Sequence, residues 1–295
     1  MKIGFIGIGI MGKPMCRNLL KAGHQLVICG HVAKAGVEEL AKEGATVVRT
    51  PQQVAEQVEI VITMLPNSPQ VKEVVLGPDG ILSGLRAGGI FVDMSSIEPL
   101  VSRELAAKLI EKQVEMLDAP VSGGEPKAMA GTLSVMVGGK KEVFDQCFPV
   151  LKAMAASVVL AGEIGAGNIT KLANQVIVAL NIAAMSEALV LAVKAGVSPE
   201  LVYQAIRGGL AGSNVLDAKA PLVMDRKFTP GFRINLHVKD LSNALKTAHE
   251  IGVPLPLTAS VMEMMQALKV DELGEADHGA LIRYYEKMAR VEVKK

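Results

Sequence analysis

The chain has 295 residues, 50% of them hydrophobic, and a formal net charge of +1, which fits about two domains with ample cores and excludes disorder. The near-neutral balance gives no electrostatic case for nucleic acid or an anionic membrane surface as a partner. Cys16, Cys29 and Cys147 form no C-x-x-C and the five histidines no H-E-x-x-H, so no disulfide framework and no metal site are expected, and a reducing, cytoplasmic setting is.

The N-terminus enters an apolar strand directly, without a basic leader or cleavage site. That strand leads into Gly7-Ile8-Gly9-Ile10-Met11-Gly12, followed by a helix over Lys13 to Ala22. In this G-x-G-x-x-G, Gly7 allows the tight turn, Gly9 lets the backbone approach a pyrophosphate, and Gly12 lets the helix pack on the strand. The pattern predicts a dinucleotide whose phosphates sit on the helix N-terminus. A nucleotide-triphosphate loop of the type G-x-x-x-x-G-K needs a hydroxyl after Lys13, and Pro14 stands there instead. Further strands are predicted at Gln25 to Cys29, Ala45 to Val48, Val58 to Leu65, Gly89 to Met94, Val114 to Leu117, Leu133 to Val137 and Ser157 to Leu160. Helices are predicted at Val37 to Lys42, Pro69 to Val75, Ser102 to Lys112 and Lys141 to Met154, with another started by Thr50 as N-cap and Gln53 as its capping-box partner. Apolar strands alternating with helices imply a mainly parallel, Rossmann-type doubly wound α/β sheet.

After Gly167 the pattern turns helical: Ile169 to Ala195, Pro199 to Gly208, Val238 to Glu250, Leu257 to Leu268 and Ala280 to Ala289. An all-α second domain follows, with the division at residues 163 and 164. The run from Leu172 to Val193 imitates a membrane span, but Asn174, Gln175, Asn181 and Glu187 interrupt it. Such polar residues are costly in lipid, so a buried or interdomain helix is expected, with no membrane as partner.

In a doubly wound sheet, ligands bind at the carboxyl ends of the strands. The fourth strand ends in Met64-Leu65-Pro66 and the fifth in Asp93-Met94-Ser95-Ser96, where hydroxyls suit a ribose or nicotinamide amide. A plain strand exit and a helix N-cap are the alternatives. Asp118-Ala119-Pro120-Val121-Ser122-Gly123-Gly124 exposes successive backbone N–H groups that suit a carboxylate; a glycine-rich turn is the alternative. Asn168 reads as a helix cap, placing Lys171 in the first turn with Asn174 and Gln175 at i+3 and i+4. A lysine desolvated at the positive end of a helix is tuned for proton transfer; a snorkelling interface lysine is the alternative. Lys239 and Asp240 read as the start of a helix after Gly231, whose plain reading is a solvated helix start. After the second strand comes Cys29-Gly30-His31, with no acid to bond a ribose diol, and only His31 and Lys34 as nearby cations. Cofactor choice therefore leans toward NADP or dual use over strict NAD.

Taken together and in this order, these segments resemble the β-hydroxyacid dehydrogenase family, which includes 3-hydroxyisobutyrate dehydrogenases and tartronate semialdehyde reductases. The nearer resemblance, to the tartronate semialdehyde reductases, lies in the segments 64–69, 122–127, 171–175 and 206–213. It implies an NAD(P)-dependent oxidoreductase that reduces tartronate semialdehyde to D-glycerate. The alternatives are 3-hydroxyisobutyrate, succinic semialdehyde or glyoxylate as substrate, or a cofactor-binding scaffold without turnover, which the presence of both Lys171 and Lys239 disfavours. The resemblance implies Lys171 as the catalytic acid/base. It implies substrate binding by Ser122, Gly123, Gly124 and Lys239, with Gln175 at the position, four residues after the lysine, where many members carry Asn, and Asn174 just before it as the other candidate amide. Cofactor binding is expected of Gly7, Ile8, Gly9, Ile10, Met11, Gly12, Met64, Leu65, Pro66, Ser96, Lys239 and Asp240, and of His31 from the local reading of the second strand's end, where this chain departs from its relatives. The apolar helix after Lys171 leads us to expect a homodimer or homotetramer.

Overall fold

The computed structural model describes residues 1–30 and 34–295, with Lys34 described by its backbone alone. The chain forms two compact units, Met1–Lys171 and Leu172–Lys295. In the first, nine strands make one sheet: β1 (Lys2–Ile6), β2 (Gln25–Cys29), β3 (Thr46–Val47), β4 (Ile60–Thr63), β5 (Ile90–Asp93), β6 (Glu115–Asp118), β7 (Val121–Ser122), β8 (Leu133–Gly138) and β9 (Ala155–Gly162). Their order is β3-β2-β1-β4-β5-β6-β8-β7, with β9 beside β8. The first six are parallel, as expected. β8 runs antiparallel to β6 and β7, because the short segment after β7 returns the chain alongside that strand and does not carry it across the sheet.

Around the sheet lie α1 (Gly12–Lys21), α2 (Lys34–Lys42), α3 (Pro51–Ala55), α4 (Ser68–Leu76), α5 (Ile81–Gly84), α6 (Pro99–Ile110), α7 (Gly124–Ala130) and α8 (Lys141–Lys152). Successive strand residues point to opposite faces. Ile3, Phe5, Leu26, Ile28, Ile60 and Ile62 therefore join one buried cluster, while Ile6, Val27, Cys29, Val61 and Phe91 join another. Both faces are covered, which is why the strands read as unbroken apolar runs. Thr50 caps α3 by accepting from the Gln53 N–H at 3.2 Å, while the Gln53 side chain accepts from the N–H of Arg49 and not from that of Thr50. The three cysteines are free, buried and all in this unit. Burial raises the Cys29 thiol to about 11 and the Cys147 thiol to about 12, and Cys16 also lies well above its ordinary value.

The helix α9 (Ala166–Lys194) leads into the second unit, where α10 (Pro199–Ile206), α11 (Asn214–Met224), α12 (Ile234–Glu250), α13 (Pro256–Val270), a 3-10 turn (His278–Leu281) and α14 (Ile282–Ala289) follow. No strand occurs in this unit, and Ile182, Leu189, Leu241, Met265 and Leu281 centre its core. By length and composition α9 would cross a membrane. Yet Asn168, Lys171, Gln175 and Ser186 are buried along it within the protein.

Candidate functional site

The loop between β1 and α1 carries the three motif glycines, and they are held for different reasons. Gly7 has φ +105°, and a Cβ there would overlap the Met64 carbonyl. A Cβ on Gly12 would overlap the carbonyl oxygen of Gly7. Gly9 differs: a Cβ on it would meet no atom of the described chain within 4 Å. Chain packing thus requires glycine at 7 and 12 but not at 9, where the room fits a dinucleotide approaching the backbone. The N-terminus of α1 has Met11 as its cap residue, no side-chain cap and no acid in its first turn, which leaves its dipole for an anion. Ile8 is buried beneath the loop, and Ile10 is 56% exposed above it.

Beside this loop, β4 and β5 end together. The Met64 N–H donates to the Ile6 carbonyl at 2.9 Å, and the Leu65 N–H to Ser95 Oγ at 2.9 Å. Asp93 Oδ1 accepts from Thr63 Oγ1 at 2.8 Å and from the Ser95 N–H at 3.1 Å. The Ser95 hydroxyl is therefore engaged in fastening the strand exits, and half-buried Ser96 is the neighbouring hydroxyl nearer the surface. Pro66 follows Leu65 on the same exit. His31 and the Lys34 side chain lie outside the described residues. At Gly30, a Cβ would come within 2.6 Å of Val37 Cγ2, so packing explains why this strand end carries no side chain.

Ser122 pairs with Ser134 at the edge of the sheet. Gly123 and Gly124 follow with φ +137° and +68°, and a Cβ on Gly123 would lie 2.8 Å from Lys127 Cβ. This left-handed pair makes any substitution at Gly123 a strain on the turn itself. Asn18 Nδ2 donates to the Ala128 carbonyl at 2.7 Å, fastening α1 to α7 behind the glycine turn. Sequence reasoning passed over Asn18, whose only signal is an amide on the buried face of α1.

The start of α9 differs from expectation. Helical turns begin at Ala166, so Asn168 is inside the first turn and Lys171 lies in the second. The cap comes from elsewhere in the chain: the Asp118 carboxylate accepts from the Gly165 N–H at 2.7 Å and the Asn168 N–H at 2.6 Å. A local reading cannot see a cap supplied by a distant strand. Burial raises the Asp118 pKa to about 7, opposed by those N–H bonds and assisted by the charge of Asp93. Lys171 is buried at 6% exposure.

In the second unit, Asn174 Nδ2 donates to Gln175 Oε1 at 2.9 Å, and Gln175 Nε2 donates to Asp240 Oδ2 at 2.5 Å. Asp240 Oδ1 in turn pairs with Lys239 Nζ at 2.8 Å. α12 begins at Ile234, so Lys239 and Asp240 lie in its second turn and not at its start. The side chain of Lys239 is 18% exposed and that of Asp240 is 2% exposed, which rules out a solvated helix start. Asn174, Gln175, Lys239 and Asp240 thus form one chain of polar contacts. His237, which sequence reasoning missed, supports it: Nε2 lies 3.2 Å from the Gln175 carbonyl and Nδ1 lies 2.9 Å from His278 Nδ1.

Comparison with known proteins matches both units. Residues 2–162 match the NAD binding domain of 6-phosphogluconate dehydrogenase, and residues 165–285 the family described as NAD-binding of NADP-dependent 3-hydroxyisobutyrate dehydrogenase. A 2-hydroxy-3-oxopropionate reductase of Escherichia coli (strain K12) is 45% identical over 98% of this chain and 98% of its own. A 2-(hydroxymethyl)glutarate dehydrogenase of Eubacterium barkeri is 40% identical over 99% and 97%. Among solved structures, a 3-hydroxyisobutyrate dehydrogenase of Mycobacterium tuberculosis with L-serine superposes with a TM-score of 0.89 at 31% identity, covering 96% of this chain and 98% of that one.

Proposed function

The chain belongs to the β-hydroxyacid dehydrogenase family, the NAD(P)-dependent oxidoreductases related to 3-hydroxyisobutyrate dehydrogenase, and from that premise we propose that it reduces tartronate semialdehyde (2-hydroxy-3-oxopropanoate) to D-glycerate. The observation that carries this reading is the 45% identity to a 2-hydroxy-3-oxopropionate reductase, sustained over 98% of both chains.

The nicotinamide, when bound, supplies a hydride to the aldehyde carbon. Protonated Lys171 gives its proton to the forming alkoxide, so aldehyde, NAD(P)H and one proton become alcohol and NAD(P)+. A buried cation also stabilises the negative charge that develops on that oxygen. Ser122, Gly123 and Gly124 hold the substrate carboxylate through hydroxyl and backbone donors. Asn174 and Gln175 are the amides assigned to the substrate side, bonded to each other and, through Gln175, to Asp240, which keeps Lys239 oriented. Gly7 to Gly12, Met64 to Pro66 and Ser96 bind the cofactor, with His31 on the ribose side and NADPH preferred or equal to NADH.

The likeness in fold to a 3-hydroxyisobutyrate dehydrogenase favours 3-hydroxyisobutyrate as the second reading. Initial rates on tartronate semialdehyde, methylmalonate semialdehyde, succinic semialdehyde and glyoxylate, each with NADH and NADPH, separate the two. The proposal requires the highest kcat/KM on tartronate semialdehyde, and a higher value on another member of the panel overturns it. We further assign the protein a cytoplasmic location and a homodimeric or homotetrameric state. Ile177 and Leu191 support the latter, being 61% and 71% exposed on an apolar helix.

A further inference from the structure

The first turn of α9 is fastened to the sheet in an unusually polar way. Asp118, at the end of β6, has no exposed surface and uses both carboxylate oxygens on that turn, one for the Gly165 N–H and one for the Asn168 N–H. Asn168 is equally buried. Its Oδ1 accepts from the Ile97 N–H, in the loop after β5, at 3.1 Å, and its Nδ2 donates to Ser102 Oγ on α6 at 3.1 Å. One helical turn is thus bonded to the exits of two adjacent strands and to a neighbouring helix.

The backbone is also pressed flat against the sheet. A Cβ on Gly167 would collide with the carbonyls of Asp118 and Met136, and one on Gly138 would overlap the Asp118 carboxylate and lie 2.8 Å from the Ala166 nitrogen. No side chain separates helix from strand there. Apolar packing would anchor a helix at less cost than a buried carboxylate and a helical glycine. What directional bonds add is a fixed rotation and height of the turn. Lys171 stands three residues after Asn168, on the same face of the same helix. The loops after β5 and β6 lead to Ser96 and to Ser122, Gly123 and Gly124.

We propose that Asp118 and Asn168 are positioning residues that clasp the first turn of α9 to the ends of β5 and β6 and so set where Lys171 delivers its proton. The inference rests on the reading of Lys171 as the acid, and the test separates the two. Asn168→Ala, Ser102→Ala, Asp118→Asn and Lys171→Ala are made in the full chain. They are assayed on the parent's best semialdehyde for kcat and KM, for NADPH affinity by fluorescence titration, and for the primary isotope effect on kcat with deuterium at the transferring position. Misplacement by a fraction of an ångström slows chemistry without loosening the cofactor. Asn168→Ala should therefore lose about 10- to 100-fold in kcat, keep NADPH affinity within about twofold, and raise the isotope effect as chemistry becomes slower than release. Ser102→Ala should show the same pattern more weakly. If Asp118→Asn does not fold, the two neutral variants carry the test. Wild-type kcat and isotope effect in Asn168→Ala, or a loss that simply follows lost NADPH binding, overturns the clasp alone, provided Lys171→Ala is inactive. Near-normal turnover in Lys171→Ala overturns the reading of Lys171 and the clasp with it.

Discussion

At Gly30 the structure turns a question of cofactor choice into one of packing. An aspartate there would supply a diol acceptor and repel a 2′-phosphate, but its Cβ would crowd Val37 Cγ2 at 2.6 Å. Gly30→Asp alone should therefore lower the melting temperature by disturbing α2. Gly30→Asp with Val37→Ala makes room, and should shift the NADH-to-NADPH ratio of kcat/KM toward NADH by at least about 10-fold, the scale of one charge-assisted contact. An unchanged ratio in the double variant would show that this strand end does not read the ribose. Asp118 makes a second prediction. Its folded pKa of about 7 lies above the unfolded value near 4. Between those values the folded state keeps a proton that the unfolded state has released, so the group's contribution is full below about pH 4 and is lost as pH rises to about 7. Asp118→Asn cannot titrate. From pH 5 to pH 8 the stability difference should therefore move in the variant's favour, by up to about 3 kcal/mol. Denaturant unfolding of parent and variant at both pH values checks this, and a constant difference contradicts it.

Among the elements, the glycine loop separates folding from binding. Gly12→Ala would force α1 off β1 and should lower the melting temperature, whereas Gly9→Ala meets no atom of the described residues and should leave it within a degree or two while weakening NAD(P)H binding. Equal melting losses in both variants would remove the distinction. The parallel strands β1, β2, β4 and β5 were legible because burial on both faces makes them continuous apolar runs between turn residues. The short elements α5, β7 and α7 were not legible, since so few residues carry no period. α11, although longer, went unread with Pro221 inside it. The site shows the same division. Gly7 to Gly12 carry a local signature, whereas for Ser122 to Gly124 and for Lys171 the local chemistry equally suits a glycine turn and an interface lysine, and their proposed roles come from the family resemblance. The roles of Asn18, Asp118, Asn168 and His237 depend on partners distant in the chain, so no local pattern announces them.

For the molecule as a whole, the proposal of a homodimer or homotetramer rests on α9. Only 39% of its most apolar window is buried inside the chain, and Ile177 and Leu191 stand out from it. Exposed apolar surface on that scale marks an interface, and the polar residues along the helix argue against lipid as its cover. Light scattering at micromolar concentration should give at least twice the 31.1 kDa chain mass; a monodisperse monomer contradicts this. The placement of the cysteines has an analytical use. All three thiols are buried in the Met1–Lys171 unit, the helical unit has none, and their raised pKa values leave almost no thiolate at neutral pH. Labelling by a thiol reagent therefore clocks the opening of one half of the protein with no background from the other. Saturating NADPH should slow that clock in proportion to cofactor occupancy, and a labelling rate indifferent to NADPH would locate the binding energy outside the sheet domain.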